Sequence, residues 1–242
     1  MESVSRVAST AAGLGLVGVV ASALGPGGAM LGVLTPLAGF FVLALGLLFG
    51  ALAVLVGLAG LWSTRAASGR GGRRRALTGM GLGLLIVLAV GAGRGETESG
   101  ARYNDITTDL SDPPMFTQAQ KIEANLGRDF GYPQEFEAEQ RQLYADLAPI
   151  AFRSPPEGAY RSAEATAESL GWEITYRDAP NHIEATEASN IFQFVDDIVI
   201  RIRPTASGST IDVRSKSRDG QSDLGVNAKR IRAFRDALGT GG

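Results

Sequence analysis

Three long apolar runs open the chain, and a regular alternation of apolar and polar residues closes it. The first run is "VASTAAGLGLVGVVASAL", Val7 to Leu24. The second is "LAGFFVLALGLLFGALAVLVGLAGLW", Leu37 to Trp62, and the third is "ALTGMGLGLLIVLAVGA", Ala76 to Ala92. Each is long enough, or nearly so, to cross a hydrocarbon core of about 30 Å as a helix. Pro36 at the entry of the second run suits a helix start, where a missing N–H costs least. "GPGGAM" (25–30) and "STRAASGRGGRRR" (63–75) are the expected connections. No run contains Asp, Glu, Lys, Arg or His, so an ion or proton pathway at membrane depth is a poor reading.

The pattern changes after residue 100. Prolines at 113, 114, 133, 149, 155 and 156 break up residues 100–157, which read as an irregular wrapping arm with one short helix at Gln134–Tyr144. Ala159, Ala163, Ala167 and Leu170 then form a helical stripe, and Gly171 is placed to stop it in a left-handed turn. Four strands are predicted at Trp172–Arg177, His182–Ala188, Ile198–Arg203 and Thr210–Ser217, with "PTASGS" as the loop between the last two. Leu224, Ala228, Ile231, Phe234 and Leu238 predict a closing amphipathic helix. The expected fold is an N-terminal three-helix transmembrane region (1–99) plus an α+β soluble domain (100–242). Its core, residues 158–240, is a four-stranded, mainly antiparallel sheet with helices on one face.

Strand parity divides that sheet. Trp172, Ile174 and Tyr176 share a face, as do Ile183 and Ala185, Ile198, Ile200 and Ile202, and Ile211 and Val213. The opposite face is expected to carry Glu173, Thr175, Arg177, His182, Glu184, Thr186, Arg201, Arg203, Asp212, Arg214 and Lys216.

Charge places the two halves. Residues 1–99 hold seven arginines against three carboxylates, net +4, whereas residues 100–242 are net −6. Arg65, Arg70, Arg73, Arg74 and Arg75 crowd the second connection and the first has no charge, which puts the second on the cytoplasmic side. The N-terminus is then cytoplasmic, and the domain is extracytoplasmic, periplasmic in a bacterium with two membranes. Arg6, an apolar run and "ASA" at 21–23 also fit a cleaved leader, but the charged start is poor and two strong spans follow.

Gly39, Gly46, Gly50 and Gly57 lie on one helical stripe, and Ala11, Gly15, Gly18 and Ser22 on another. Such stripes let helices approach closely in lipid, either with a membrane-protein partner or among the spans themselves.

The outer half resembles the bacterial family called domain of unknown function 1499. The stretches that carry the resemblance are "NDITTDLSDPP", "YPQEFEAEQRQLYADLAPI", "GWEI", "IEATEAS", "DDIVIRIRP" and "VRSKSRDGQSDLGVNAKRIRAF". Asn104 and Ala145 depart from the family pattern, where His often precedes "DITTD" and "YPDL" stands for "YADL". The family carries no established activity, so the resemblance implies no functional residues.

Candidate chemistry is sparse. With no cysteine, disulfides, thiolate metal sites and cysteine nucleophiles are excluded. His182 is the only histidine and lacks the further ligands a zinc site needs. "GQSDLG" is one residue too long for a nucleophile elbow, so Ser222 or Asp223 reads as a helix cap. Asp105, Asp109 and Asp112 match no calcium loop and suit local hydrogen bonds in the arm. Glu184 and Asp212 are too few to balance the cations of the polar face, so "NDITTD" is expected to lie against it, with Asp105 and Asp109 pairing with Arg201, Arg203 and Arg214. Asp196 and Asp197 are a paired-carboxylate candidate, or the end of a loop with one of them on an arginine. The strongest site candidate is an anion site or charge network comprising Arg201, Arg203, Arg214, Arg218, Ser222, Glu184, Asp105 and Asp109. In it, Arg214 and Arg218 lead toward the opening of the last helix.

No catalytic residue, metal or cofactor is expected, and nucleic acid is excluded by the outer charge. The expected function is a membrane-anchored extracytoplasmic binding or structural module in a bacterial inner membrane, with the lipid bilayer as its partner. An accessory subunit of a membrane complex is the alternative, and a carboxylate-dependent hydrolase using Asp105, Glu184 or Asp212 is a third.

Overall fold

The computed structural model describes residues 3–92 and 103–240. Two compact units are present, one helical and one α+β.

The helical unit contains α1 (Arg6–Met30), α2 (Pro36–Ser63) and α3 (Arg73–Ala92). Ser5 caps α1 and Thr35 caps α2 through their side-chain oxygens, with Pro36 at the first helical position. The first connection is shorter than the sequence suggested. "GPGGAM" continues α1 with Pro26 inside it, and the chain turns only at residues 31–35, with Gly32 at φ 67°. Proline deletes one helical hydrogen bond, a loss that long apolar helices tolerate when neighbouring helices hold the backbone in place.

Packing in this unit is small inside and large outside. The buried positions include Gly15, Gly18 and Gly25 on α1, Gly46 and Gly50 on α2, and Gly79 and Gly83 on α3. A Cβ at Gly79 would lie 2.3 Å from the Ala11 carbonyl, and one at Gly83 would lie 2.3 Å from the Gly50 oxygen. Leu16, Leu24, Phe41 and Leu55 instead face outward. This arrangement is stable where the surroundings are as apolar as leucine, and all three helices are long and apolar enough to cross a membrane. The glycine stripe is therefore occupied by the unit's own helices.

The α+β unit contains β1 (Asp105–Thr107), α4 (Glu135–Leu143), β2 (Ile150–Phe152), α5 (Pro156–Ser169), β3 (Glu173–Asp178), β4 (His182–Ala188), β5 (Val195–Thr205), β6 (Gly208–Ser217) and α6 (Val226–Thr240). The antiparallel sheet runs β1-β6-β5-β4-β3, and β2 pairs with β6 beyond the end of β1. It thus has six strands and not the expected four. The two extra strands are three residues each, too short to display alternation, and they come from the segment read as an irregular arm with one short helix, which is α4.

Ile183, Ile198, Ile200, Ile202, Ile211 and Val213 meet Ala159, Ala163 and Ala167 of α5 and Ile231, Phe234 and Leu238 of α6 in one core. Trp172 stacks on Phe234 at 5.2 Å. Gly171 follows α5 at φ 84°, the left-handed stop its sequence predicted. Leu224 departs from expectation: it lies before α6, at φ 54°, and is exposed.

Parity fails at one place. The β3–β4 register shifts between Ile174 and Tyr176, so Tyr176 sits opposite Glu184 on the polar face. Arg177 passes to the helix side and pairs with Glu164 and Glu168 of α5. One extra residue inverts every position after it, and a count by twos cannot reveal a bulge.

Candidate functional site

The polar face of the sheet is roofed by residues of the arm. Pairing of β1 with β6 sets Asp105 opposite Lys216 and Thr107 opposite Arg214, which begins the cover. Gln140, the one buried residue of α4, extends it: its side chain accepts from the Thr107 N–H at 3.1 Å and donates to the Thr107 carbonyl at 2.6 Å. Phe116, Ala119 and Phe130 then cluster over Val199, an apolar residue of β5 on this side.

Arg214 lies at the centre and is fully buried. Its Nε and one terminal nitrogen donate to the two oxygens of Asp105, each at 2.8 Å. Its remaining bonds go to the carbonyls of Pro114 (3.1 Å) and Phe130 (2.9 Å), and the rings of Phe116 and Tyr132 lie against the guanidinium. Lys216 Nζ approaches Asp105 at 2.7 Å. Burial raises the Tyr132 phenol above its ordinary pKa, and the Asp105 charge adds to the effect. Its hydroxyl donates to Gln140.

Arg201 and Arg203 share three carboxylates. Asp109 meets Arg203 at 2.7 Å and Arg201 at 3.2 Å, Asp212 meets them at 2.8 and 3.1 Å, and the exposed Asp112 meets Arg201 at 2.9 Å. Burial alone would raise Asp109, but hydrogen bonds from Ser111, the Asp112 N–H and Arg203 outweigh it and lower its pKa. Asp212 is the reverse case: burial dominates the pull of both arginines and raises it. Its Oδ1 has no hydrogen-bond partner among the described residues.

Glu184 ties the arm to β4. Its carboxylate accepts from the N–H groups of Thr117, Gln118 and Ala119, from the Thr117 hydroxyl and from His182 Nε2 at 2.9 Å. Burial works against ionisation here, yet His182 and the three peptide N–H groups prevail and hold the group at about 2. Farther along, buried Asp197 receives Arg218 through both oxygens, with Asn125 at 3.0 Å and Arg128 at 3.4 Å.

The anion site expected at the start of α6 does not assemble. Arg214 and Arg218 diverge to Asp105 and Asp197. The helix start is filled by Asp223, which accepts from Gly225 N and Asn227 N, while the Ser222 hydroxyl accepts from Leu224 N. Burial raises the Asp223 pKa. Asp196 and Asp197 are likewise split by strand parity, with Asp196 going to the helix side, where Arg230 meets it at 2.6 Å. Asp105 goes to Arg214 and Lys216 while Asp109 and Asp112 share Arg201 and Arg203, so the three form no ion-binding loop. Among the described residues no group of three or more His, Asp or Glu could hold a metal.

Sequence reasoning gathered Asp105, Asp109, Glu184 and the arginines but missed Gln140, Asn125 and Arg128. Gln140 sits in a short, mostly polar helix, and its burial shows only in the fold. Asn125 and Arg128 lie in loop and 3-10 turns and left no pattern.

Taken together, the described residues define a bundle of three apolar helices followed in sequence by an α+β domain whose polar sheet face is lined and roofed by ion pairs. Residues 105–238, more than half of the chain, match the family model described as Protein of unknown function (DUF1499), and the chain belongs to that family. A comparison with curated proteins finds no match. The family match begins at Asp105, the carboxylate of the central buried pair, so the arm belongs to the family unit.

Proposed function

We propose that this is a membrane-anchored module whose α+β domain stands outside the cytoplasm and works by presenting a rigid surface, without catalysis. One observation carries the reading: Arg201, Arg203, Arg214 and Arg218 all end on carboxylates of the same chain. A face arranged this way stabilises a fold, and what remains for recognition is the outside of the arm. The anchor is α1–α3. Its orientation follows from five arginines in the α2–α3 connection and the first turn of α3 against none between α1 and α2, which keeps the former connection in the cytoplasm of a bacterial cell. Glycine stripes engaged inside the bundle give no support to a further membrane subunit.

Reporter fusions test this placement. An alkaline phosphatase fused after Gly95 is expected to be active, and one fused near Ser68 inactive. The reverse pattern would put the domain in the cytoplasm and end the reading.

A further inference from the structure

The helical unit gathers six arginines at one end. Arg6 precedes the body of α1, Arg65 follows α2, Arg70 lies in the connection, and Arg73, Arg74 and Arg75 form the first turn of α3. All six are exposed. Three separate segments are held in register there by specific bonds. Ser5 N donates to Gly71 O at 3.0 Å and Gly71 N to Ser3 O at 3.3 Å, while the Ser5 and Ser63 hydroxyls meet at 2.7 Å. Arg75 donates to the Ser9 hydroxyl at 2.9 Å.

Among the described residues of this unit no Asp or Glu occurs, so none of them supplies a counter-charge to these cations. This is the opposite of the α+β unit, where the central arginines have carboxylate partners. Trp62 lies beside them, 69% exposed, with the Arg65 guanidinium 4.3 Å from its ring centroid. Indole rings favour the headgroup level of a bilayer, and guanidinium groups bind phosphate oxygens in pairs.

We infer that this arginine collar is a binding surface for the phosphate groups of anionic phospholipids, with Trp62 as its depth gauge. The lipid is favoured over other anions by position, since the arginines flank apolar spans and meet the headgroup layer as soon as the spans are in a membrane. The inference rests on the membrane reading of α1–α3 but not on which side the collar faces. Near an anionic leaflet each cation is worth roughly a factor of five in attraction, and six together exceed what thermal mixing of lipids can erase.

The test uses the full chain in vesicles of phosphatidylcholine and phosphatidylglycerol at four to one, with bromine on either all of the phosphatidylglycerol or an equal amount of phosphatidylcholine. The Trp62 signal is read as the difference between the chain and its Trp62→Phe variant. Brominated phosphatidylglycerol is expected to quench Trp62 about two-fold more strongly or better. The preference should vanish when all six arginines are changed to Gln and persist when all six are changed to Lys, which separates charge from any loss of folding. Equal quenching by the two lipids overturns the inference, as does a preference that survives in the Gln variant or is lost in the Lys variant. Absence of quenching by either lipid overturns it together with the membrane reading.

Discussion

Arg214 and Asp105 face each other through two parallel hydrogen bonds of 2.8 Å, and both side chains are shut off from solvent. They are separated by more than a hundred residues in sequence, so this one contact joins the start of the arm to the last strand.

Removing one partner is the sharpest way to weigh that contact. Asp105→Ala leaves Arg214 and Lys216 without their shared carboxylate and is expected to cost on the order of 3–5 kcal/mol. Asp109→Ala, beside an Arg203 that is 40% exposed, should cost about 1–2 kcal/mol because water screens what remains. Asp105→Ala with Arg214→Met should lose less than the two single changes summed. Urea melts of residues 101–242 give these numbers. Equal losses for the Asp105 and Asp109 variants would mean that burial does not rank the pairs.

Acid should loosen the arm through Glu184. Its folded pKa is about 2 against an ordinary 4.5, so its stabilisation is complete above pH 4.5 and is lost as pH falls toward 2. The full effect is about 3 kcal/mol. Asp212 and Asp223 have raised values and act in the opposite direction, so the comparison must be with Glu184→Gln. The stability gap between the parent and that variant is expected to narrow steadily from pH 5.5 to pH 2. A gap independent of pH would show that Glu184 holds the arm by shape alone.

Two glycines on α3 make a paired test of the bundle. Gly79→Ala drives a methyl into the Ala11 backbone, whereas Gly81→Ala meets open space. The first should lower thermal stability in detergent by about 1–3 kcal/mol, and the second should leave it unchanged or slightly higher. Equal melting temperatures would mean that α1 and α3 do not pack as described.

Much of the fold was legible because burial imposes a period. Ile198, Ile200 and Ile202 alternate with Asp197, Val199, Arg201 and Arg203, and this alone assigns both faces of β5. The bulge before Tyr176 was hidden, since inserting one residue leaves composition intact and merely changes phase. β1 and β2 were hidden by brevity. At the site, the pairing of the acidic arm with the sheet arginines was readable from charge balance, and Asp109 does meet Arg203, but the full set of partners was not. Asp105 could have met any of several cations, and only the path of the arm decides that it meets Arg214 and Lys216. Glu184 was grouped with the arginines, yet its donors are backbone N–H groups at 117–119, which have no side-chain signature at all.

The placement of β1 and β2 along β6 has a bearing on how the domain behaves among its own kind. Together they close much of one margin of the sheet, which leaves β3 as the open one. That strand is short, bulged, and studded with Glu173, Arg177 and Asp178, all features that discourage a second chain from adding a strand there. Copies held at high density in the plane of a membrane could therefore collide often without stitching their sheets together, and the domain would stay monomeric at this margin where a smooth apolar strand would seed aggregation.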